Sequence, residues 1–209
     1  IPSPQPHLAL KLTFLPMAKS NQGTRERIVE TADQLFYERG YDHTSFADIA
    51  EVVGLSRGNF YHHFKTKDEI LEAVIGLRAK KTQAMLDTWA AQAHTPTERI
   101  DRFIEMMAMN GPQIRRHGCP VGTLCTELAK LDHPALPHAS ALFTLFRRWL
   151  ATQFEQIGFN RDADSMAMHL LARSQGIATL ANAFNDEAFI RQEVLQLHLW
   201  LRTVYQPSS

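Results

Sequence analysis

Long apolar runs are missing from this 209-residue sequence. No stretch approaches the roughly 20 apolar residues that span a bilayer, so no membrane partner is expected. Cysteine is scarce as well, with only Cys119 and Cys125. Two thiols in a chain of this size do not make a disulfide scaffold. They suit a reducing compartment, and the cytoplasm is the expected location. Charge of one sign is lacking: 22 Lys and Arg balance 22 Asp and Glu. Bulk charge therefore gives no argument for a nucleic-acid partner, and non-specific DNA affinity, an electrostatic quantity, should be weak. No phosphate-cradling glycine loop or nucleotide fingerprint occurs, so no cofactor is expected. An all-helical enzyme with Cys119 as nucleophile is a poor fit, because no base-orienter pair stands at useful spacing. A hydrophobic content of 44% is ample for a core.

The informative segment is Thr44 to Glu69. Ser45 followed by Asp48 fits a capping box, which predicts a helix from Phe46. Phe46, Ile49, Ala50 and Val53 give that helix one apolar face. Gly54 stands where a left-handed residue would end it. Leu55 can plug the corner, and Ser56 is a good N-cap for a second helix. Ala50 and Gly54, both small, allow two helices to cross closely. Phe60 and Phe64 fall on the inner side. Arg57, Asn59, Tyr61, His62 and Lys65 fall on the outer side. The pattern is a helix-turn-helix. Arg57 and Asn59 occupy the first turn of its second helix, where side chains reach base edges. Arginine pairs bidentately with guanine, and asparagine with adenine. Gly58 removes bulk near the groove floor. Tyr61, His62 and Lys65 suit phosphate contacts, which set register. Thr66 and Glu69 fit another capping box, so a further helix begins near Lys67, whose side chain and neighbouring amides could hold a phosphate.

The segment 40–71 resembles the DNA-binding domain of the TetR family of transcriptional regulators. The likeness reaches back to about Thr24, and Tyr61-His62-His63-Phe64 is its most characteristic part. The resemblance implies an all-α homodimer on a palindromic double-stranded DNA operator, with a divergent second helical domain for a small effector. It implies base reading by Arg57 and Asn59, and phosphate contacts from Thr44, Ser45, Tyr61, His62 and Lys67. It also implies that the last two helices form the dimer interface. Two-fold symmetry would place the reading helices about one DNA turn apart, roughly 34–36 Å.

The expected organisation is a mobile N-terminal extension (1–19), a three-helix DNA-binding domain (20–66) and an effector-binding and dimerisation domain (67–209). Residues 17 to 67 hold seven Lys or Arg and seven Asp or Glu. Binding must therefore come from placement, with Glu26, Glu30, Asp33 and Glu38 on the first helix, away from the reading helix. A long helix over about 67–91, with Ile70, Val74, Leu77, Lys81 and Met85 in register, joins the two domains. Thr95-Pro96-Thr97-Glu98 starts another helix, and Gly111-Pro112 interrupts it. His133 to Pro137 reads as a loop before a helix over about 139–157. Two final helices cover about 162–184 and 186–205. The first of these is rich in small residues (Ala163, Ala167, Ser174, Ala178 and Ala181), which favour close helix approach.

The second domain carries less chemistry. Phe103, Met107, Phe143, Phe146, Trp149 and Leu170 are candidate lining for an apolar or aromatic effector, although Met and aromatics at helical spacing also make plain core. Cys119 is expected at a helix N-cap before Pro120. Helix amides, Arg116 and His117 would favour its thiolate, giving an electrophile or oxidant sensor. The competing reading is a small packed cap. His117, Cys119, Cys125, His133 and His138 are types that bind zinc, but their spacing fits no compact ligand pattern, and no metal site is expected. The overall expectation is a ligand-responsive repressor, not an enzyme.

Overall fold

The structure, a computed structural model, describes residues 23–205. The expected extension over 1–19 lies outside the described residues. Among those residues, no strand occurs and ten α-helices carry the fold. They are α1 (Thr24–Arg39), α2 (Phe46–Val53), α3 (Arg57–His63), α4 (Lys67–Gln92), α5 (Pro96–Met109), α6 (Gly111–His117), α7 (Pro120–Lys130), α8 (Leu136–Gln156), α9 (Ala163–Ala183) and α10 (Glu187–Val204). The all-α expectation therefore holds.

Local signals explain most of these boundaries. Ser45 accepts from the Asp48 amide and Asp48 accepts from the Ser45 amide, closing the box that starts α2. Gly54 is left-handed (φ 75°, ψ 35°), and the Leu55 amide reaches back to the Ala50 carbonyl. That is a glycine-terminated helix end with its orphan carbonyl satisfied. Thr66 and Thr95 cap α4 and α5, but Glu69 and Glu98 reach the amides of Lys65 and His94 and not those of the caps. Helix α8 starts at Leu136, three residues earlier than the proline content suggested. Pro137 falls in its first turn, where a missing N–H costs nothing. A short 3-10 turn over Asn160–Asp162, before α9, has no counterpart in the sequence reading.

Two apolar cores share the long helix α4. The first gathers Ile28, Ala32 and Phe36 of α1, Ile49 and Val53 of α2, Phe60 of α3, and Ile70, Leu71, Val74 and Ile75 of α4. It does not stop at residue 66: Leu124 and Leu128 of α7 and Ala139 of α8 belong to it. The second takes Met85, Leu86 and Trp89 of α4 together with α5, α6, α8, α9 and α10. Between its two apolar stretches α4 buries Arg78. The inner face thus runs through Arg78, whereas Lys81, expected in register, is exposed.

Arg78 meets Asp33 of α1, whose side chain is almost fully enclosed. Arg78 Nε donates to Asp33 Oδ1 at 2.6 Å, and Arg78 Nη1 donates to the Pro120 carbonyl. Lys81 Nζ stands 3.9 Å from the other carboxylate oxygen. Removing one member of a buried pair strands the other charge. Asp33→Ala should therefore destabilise the fold by roughly 3–5 kcal/mol, read as a lowered denaturant midpoint with unchanged slope. An apolar replacement of both Asp33 and Arg78 should cost much less. Equal losses for the single and double variants would show that packing, not charge, governs this point.

Candidate nucleic-acid interface

Helix α3 has seven residues, too few to persist alone. Its conformation is imposed by one buried edge. Phe60 and Phe64 are almost wholly enclosed. Ser56 accepts from the Asn59 amide at 3.4 Å and caps the start. The Arg25 guanidinium stands over the Phe64 ring at 4.6 Å, closing the other end against α1. With that edge fixed, Arg57, Gly58, Asn59, Tyr61 and His62 all face outward, as does Lys65 beyond the helix. No carboxylate lies within α3, so its outer side is locally basic in a chain of zero net charge.

Two features sharpen this face. Tyr61 is 47% exposed, yet its ring stacks on Phe46 of α2 with centroids 5.0 Å apart. Its hydroxyl is thereby presented at a fixed place. A Cβ built on Gly58 meets nothing within 4 Å. The chain's own packing therefore does not demand glycine there. Ser45 is exposed, and its hydroxyl accepts the Asp48 amide. The hydrogen bonds with Ser45 hold the Asp48 carboxyl below the usual carboxylate range.

Two expected phosphate contacts are placed differently. Thr44 is only 1% exposed, and its hydroxyl donates to the Gly40 carbonyl at 2.7 Å. It closes the turn after α1 and does not face solvent. Lys67 Nζ donates to the Tyr41 carbonyl at 3.0 Å and sits 4.1 Å from the Tyr41 ring centre. Its ammonium is turned into the fold. The aromatic that engages it, Tyr41, was not singled out in the sequence. Burial and the hydrogen bond to Asp68 push the Tyr41 phenol well above its ordinary range, so it remains a donor.

The candidate effector residues come together in the second core. Phe103, Met107, Phe146 and Leu170 are buried there, and Phe143, Trp149 and Cys119 pack against it. Phe103 meets Phe146 edge-on at 5.6 Å, and Trp89 meets Trp149 at 5.8 Å. They are thus in mutual contact as core. A cleft of about 880 Å³ lies elsewhere, between the start of α5 and α10, lined by Asp101, Arg102, Glu105, Leu195, His198 and Tyr205 among others. There His198 is held between Asp101 (2.7 Å) and Glu105 (2.6 Å). The i,i+4 acids on α5 were visible in sequence, but their histidine, nearly a hundred residues away, was not.

Cys119 is the N-cap of α7, and its Sγ accepts from the Gly122 amide at 3.4 Å. Burial pushes the Cys125 thiol upward. The histidines of zinc-binding type lie apart: His117 packs on Tyr37, His133 reaches Tyr41, and His138 reaches Glu72. Among the described residues no group of three or more His, Cys, Asp or Glu is arranged to hold a metal. Nor is any helix there long and apolar enough to cross a membrane.

Comparison with known proteins agrees with this geometry. Residues 28–74 match the family model of bacterial regulatory proteins, tetR family. Residues 96–193 match the C-terminal domain of LmrA/YxaF-like transcriptional regulators. An HTH-type transcriptional regulator in the lacX 3' region of Lactococcus lactis subsp. lactis is 28% identical, over 79% of this chain and 86% of its own. The HTH-type transcriptional regulator TtgR of Pseudomonas putida is 46% identical over 54 residues, 26% of each chain. A TetR transcriptional regulator from Legionella pneumophila shares the fold with a TM-score of 0.77, at 24% identity, over 88% of this chain and 98% of that one.

Proposed function

The chain belongs to the TetR family of DNA-binding transcriptional regulators, not to a family of enzymes, and from that premise we propose that it is a ligand-responsive repressor. In this reading a homodimer binds a palindromic operator, and a small apolar or aromatic effector releases it. Residues 20–66 carry the reading elements, braced by the first turns of α4, and the remainder carries effector binding and dimerisation. The observation that supports the reading best is the outer side of α3. Arg57 and Asn59 would read base edges, Gly58 would allow close approach, and Ser45, Tyr61, His62 and Lys65 would hold phosphates. Thr44 and Lys67 serve the fold and are left out of this set.

Dimerisation through α9 and α10 is supported by what those helices leave uncovered. The small residues of α9 point inward: Ala163, Ala167, Ser174, Ala178 and Ala181 are buried within one chain. The free faces carry Met168 and Leu180 on α9, Phe184 at its C-cap, and Leu195 and Leu199 on α10. Phe184 is 74% exposed and Leu195 63%. A Cβ on Gly176, in the same stripe, meets nothing within 4 Å. An apolar stripe over two adjacent helices with a flat glycine position suits a self-complementary helical interface. The effector would bind the conformer whose reading helices no longer match the operator, and so shift the population off DNA.

A second reading places sensing at Cys119. Its Sγ takes a first-turn amide of α7, whereas burial pushes the Cys125 thiol upward. Cys119→Ser should abolish release by quinones or peroxide while sparing operator affinity. An unchanged response would remove this reading.

For the primary reading, operator selection from random DNA should yield a palindrome. Arg57→Ala should then lose roughly 1–3 kcal/mol of discrimination at one base pair of each half-site. Lys65→Ala should weaken all sequences alike and flatten the salt dependence. Losses that are equal on specific and random DNA for both variants would contradict these roles. Leu180→Glu with Leu199→Glu should convert the dimer to a monomer in light scattering while keeping the helix content, because both side chains are exposed in one chain. A dimeric double variant would move the interface elsewhere.

A further inference from the structure

Helix α7 and the residues flanking it touch the reading unit and α4 at four separated points. The Tyr37 hydroxyl of α1 donates to the Gly118 carbonyl at 2.9 Å, just before α7 begins. Arg78 of α4 donates to the Pro120 carbonyl in its first turn. In its last turns, Glu127 accepts the Tyr41 amide at 2.9 Å and the Asp42 amide at 2.8 Å, one on each carboxylate oxygen. Beyond its end, His133 Nε2 stands 3.3 Å from the Tyr41 hydroxyl. On its other side α7 presses on α9: a Cβ built on Gly122 would stand 2.4 Å from Gln175 Oε1. One eleven-residue helix therefore spans from the reading unit to the helix carrying the uncovered apolar stripe.

Glu127 has the most directive of these contacts. Its two oxygens grip two consecutive backbone N–H groups, a fork that fixes direction as well as distance. The gripped amides directly follow Gly40, the C-cap of α1, in the segment leading to α2. Gly40 adjoins them at φ 91°, and a Cβ there would stand 3.0 Å from Glu127 Oε1. A side chain there would be strained at this φ and would need the carboxylate to give by a few tenths of an ångström. Phosphate and base contacts do not involve Glu127. What it controls is the angle at which the α2–α3 pair leaves the rest of the molecule.

In a two-fold dimer that angle sets the separation of the two reading helices. Resting on the operator-binding reading above, we propose that Glu127 is a positioning residue for DNA recognition: its grip on the Tyr41 and Asp42 amides sets which half-site spacing the dimer accepts. Base preference within a half-site is set by α3 itself and should not depend on it.

The test uses the full-length dimer and operators with identical half-sites whose centres are shifted by one base pair either way. Glu127→Gln keeps the shape but turns an NH2 group toward one of the two amides; Glu127→Ala removes the grip. Both should keep dimer mass and helix content, and hydrogen exchange at Tyr41 and Asp42 should quicken. The wild-type preference for its best spacing over the shifted ones should fall about tenfold, more for Ala than Gln, with half-site base preferences unchanged. Exchange that does not quicken overturns the proposal. So does a spacing preference that survives in both variants, or a loss confined to base preference within the half-site. A wild-type chain that enriches no DNA overturns the regulator reading and this one together. A wild type that binds, with variants that keep its spacing ratio, overturns this one alone.

Discussion

A helix of seven residues has almost no stability of its own, so everything α3 offers to DNA is borrowed from what holds its inner edge. Phe60 and Phe64 supply that hold, with the Arg25 guanidinium stacked on Phe64 and Phe46 packed edge-on against Phe60. The outward direction of Arg57, Asn59 and Tyr61 follows from the inward direction of the two phenylalanines. The core they enter is itself shared, because Leu124 and Leu128 reach it from α7. Reading geometry thus depends on packing that crosses the whole molecule.

Zero net charge turns placement into the controlling electrostatic variable. Acids are numerous in the reading unit, yet α3 has none, and carboxylates on the flanking helices are occupied. Asp48 caps α2 and Asp68 accepts from Tyr41. Asp33, one of the acids expected on the first helix away from the reading helix, is spent inside on Arg78. A chain arranged this way keeps little long-range attraction for arbitrary DNA and concentrates its positive groups where register is set. Discrimination then depends more on geometry than on charge.

Much of this was legible in the sequence, and the boundary between what was and was not is physical. Caps, the left-handed glycine and helical periodicity are local, so α1 to α4 and the inward or outward sense of α3 followed from residues a few positions apart. The break at Gly111-Pro112 and the Cys119 cap followed likewise. Partners distant in sequence did not. Asp33 with Arg78, Glu127 with Tyr41 and Asp42, and His198 with Asp101 leave no periodic trace, because each joins separate helices. Thr44 and Lys67 show the same limit from the other side: their types suit phosphate, but the turn after α1 and the Tyr41 carbonyl claim them first. The small residues of α9 do mark close packing, as expected. The helices they meet belong to the same chain, and the larger exposed residues beside them mark the uncovered face.

The long helix α4 is apolar where it enters each core and buries a guanidinium where it passes between them. An apolar contact tolerates small slides, since its energy varies slowly with position. A charged hydrogen bond at 2.6 Å to Asp33 does not, because a shift that breaks it strands a buried charge. Arg78 also holds the Pro120 carbonyl, so α1, α4 and the start of α7 are fixed to one point. Motion within the second core can reach the reading helix through this point in two ways. It can carry α1, α4 and α7 together as a rigid group, or it can part them at the weaker grips farther along α7. A rigid shift would move both reading helices without altering either, which changes their separation and leaves their chemistry intact. That is the form of response expected where affinity must change while recognition of each half-site is preserved.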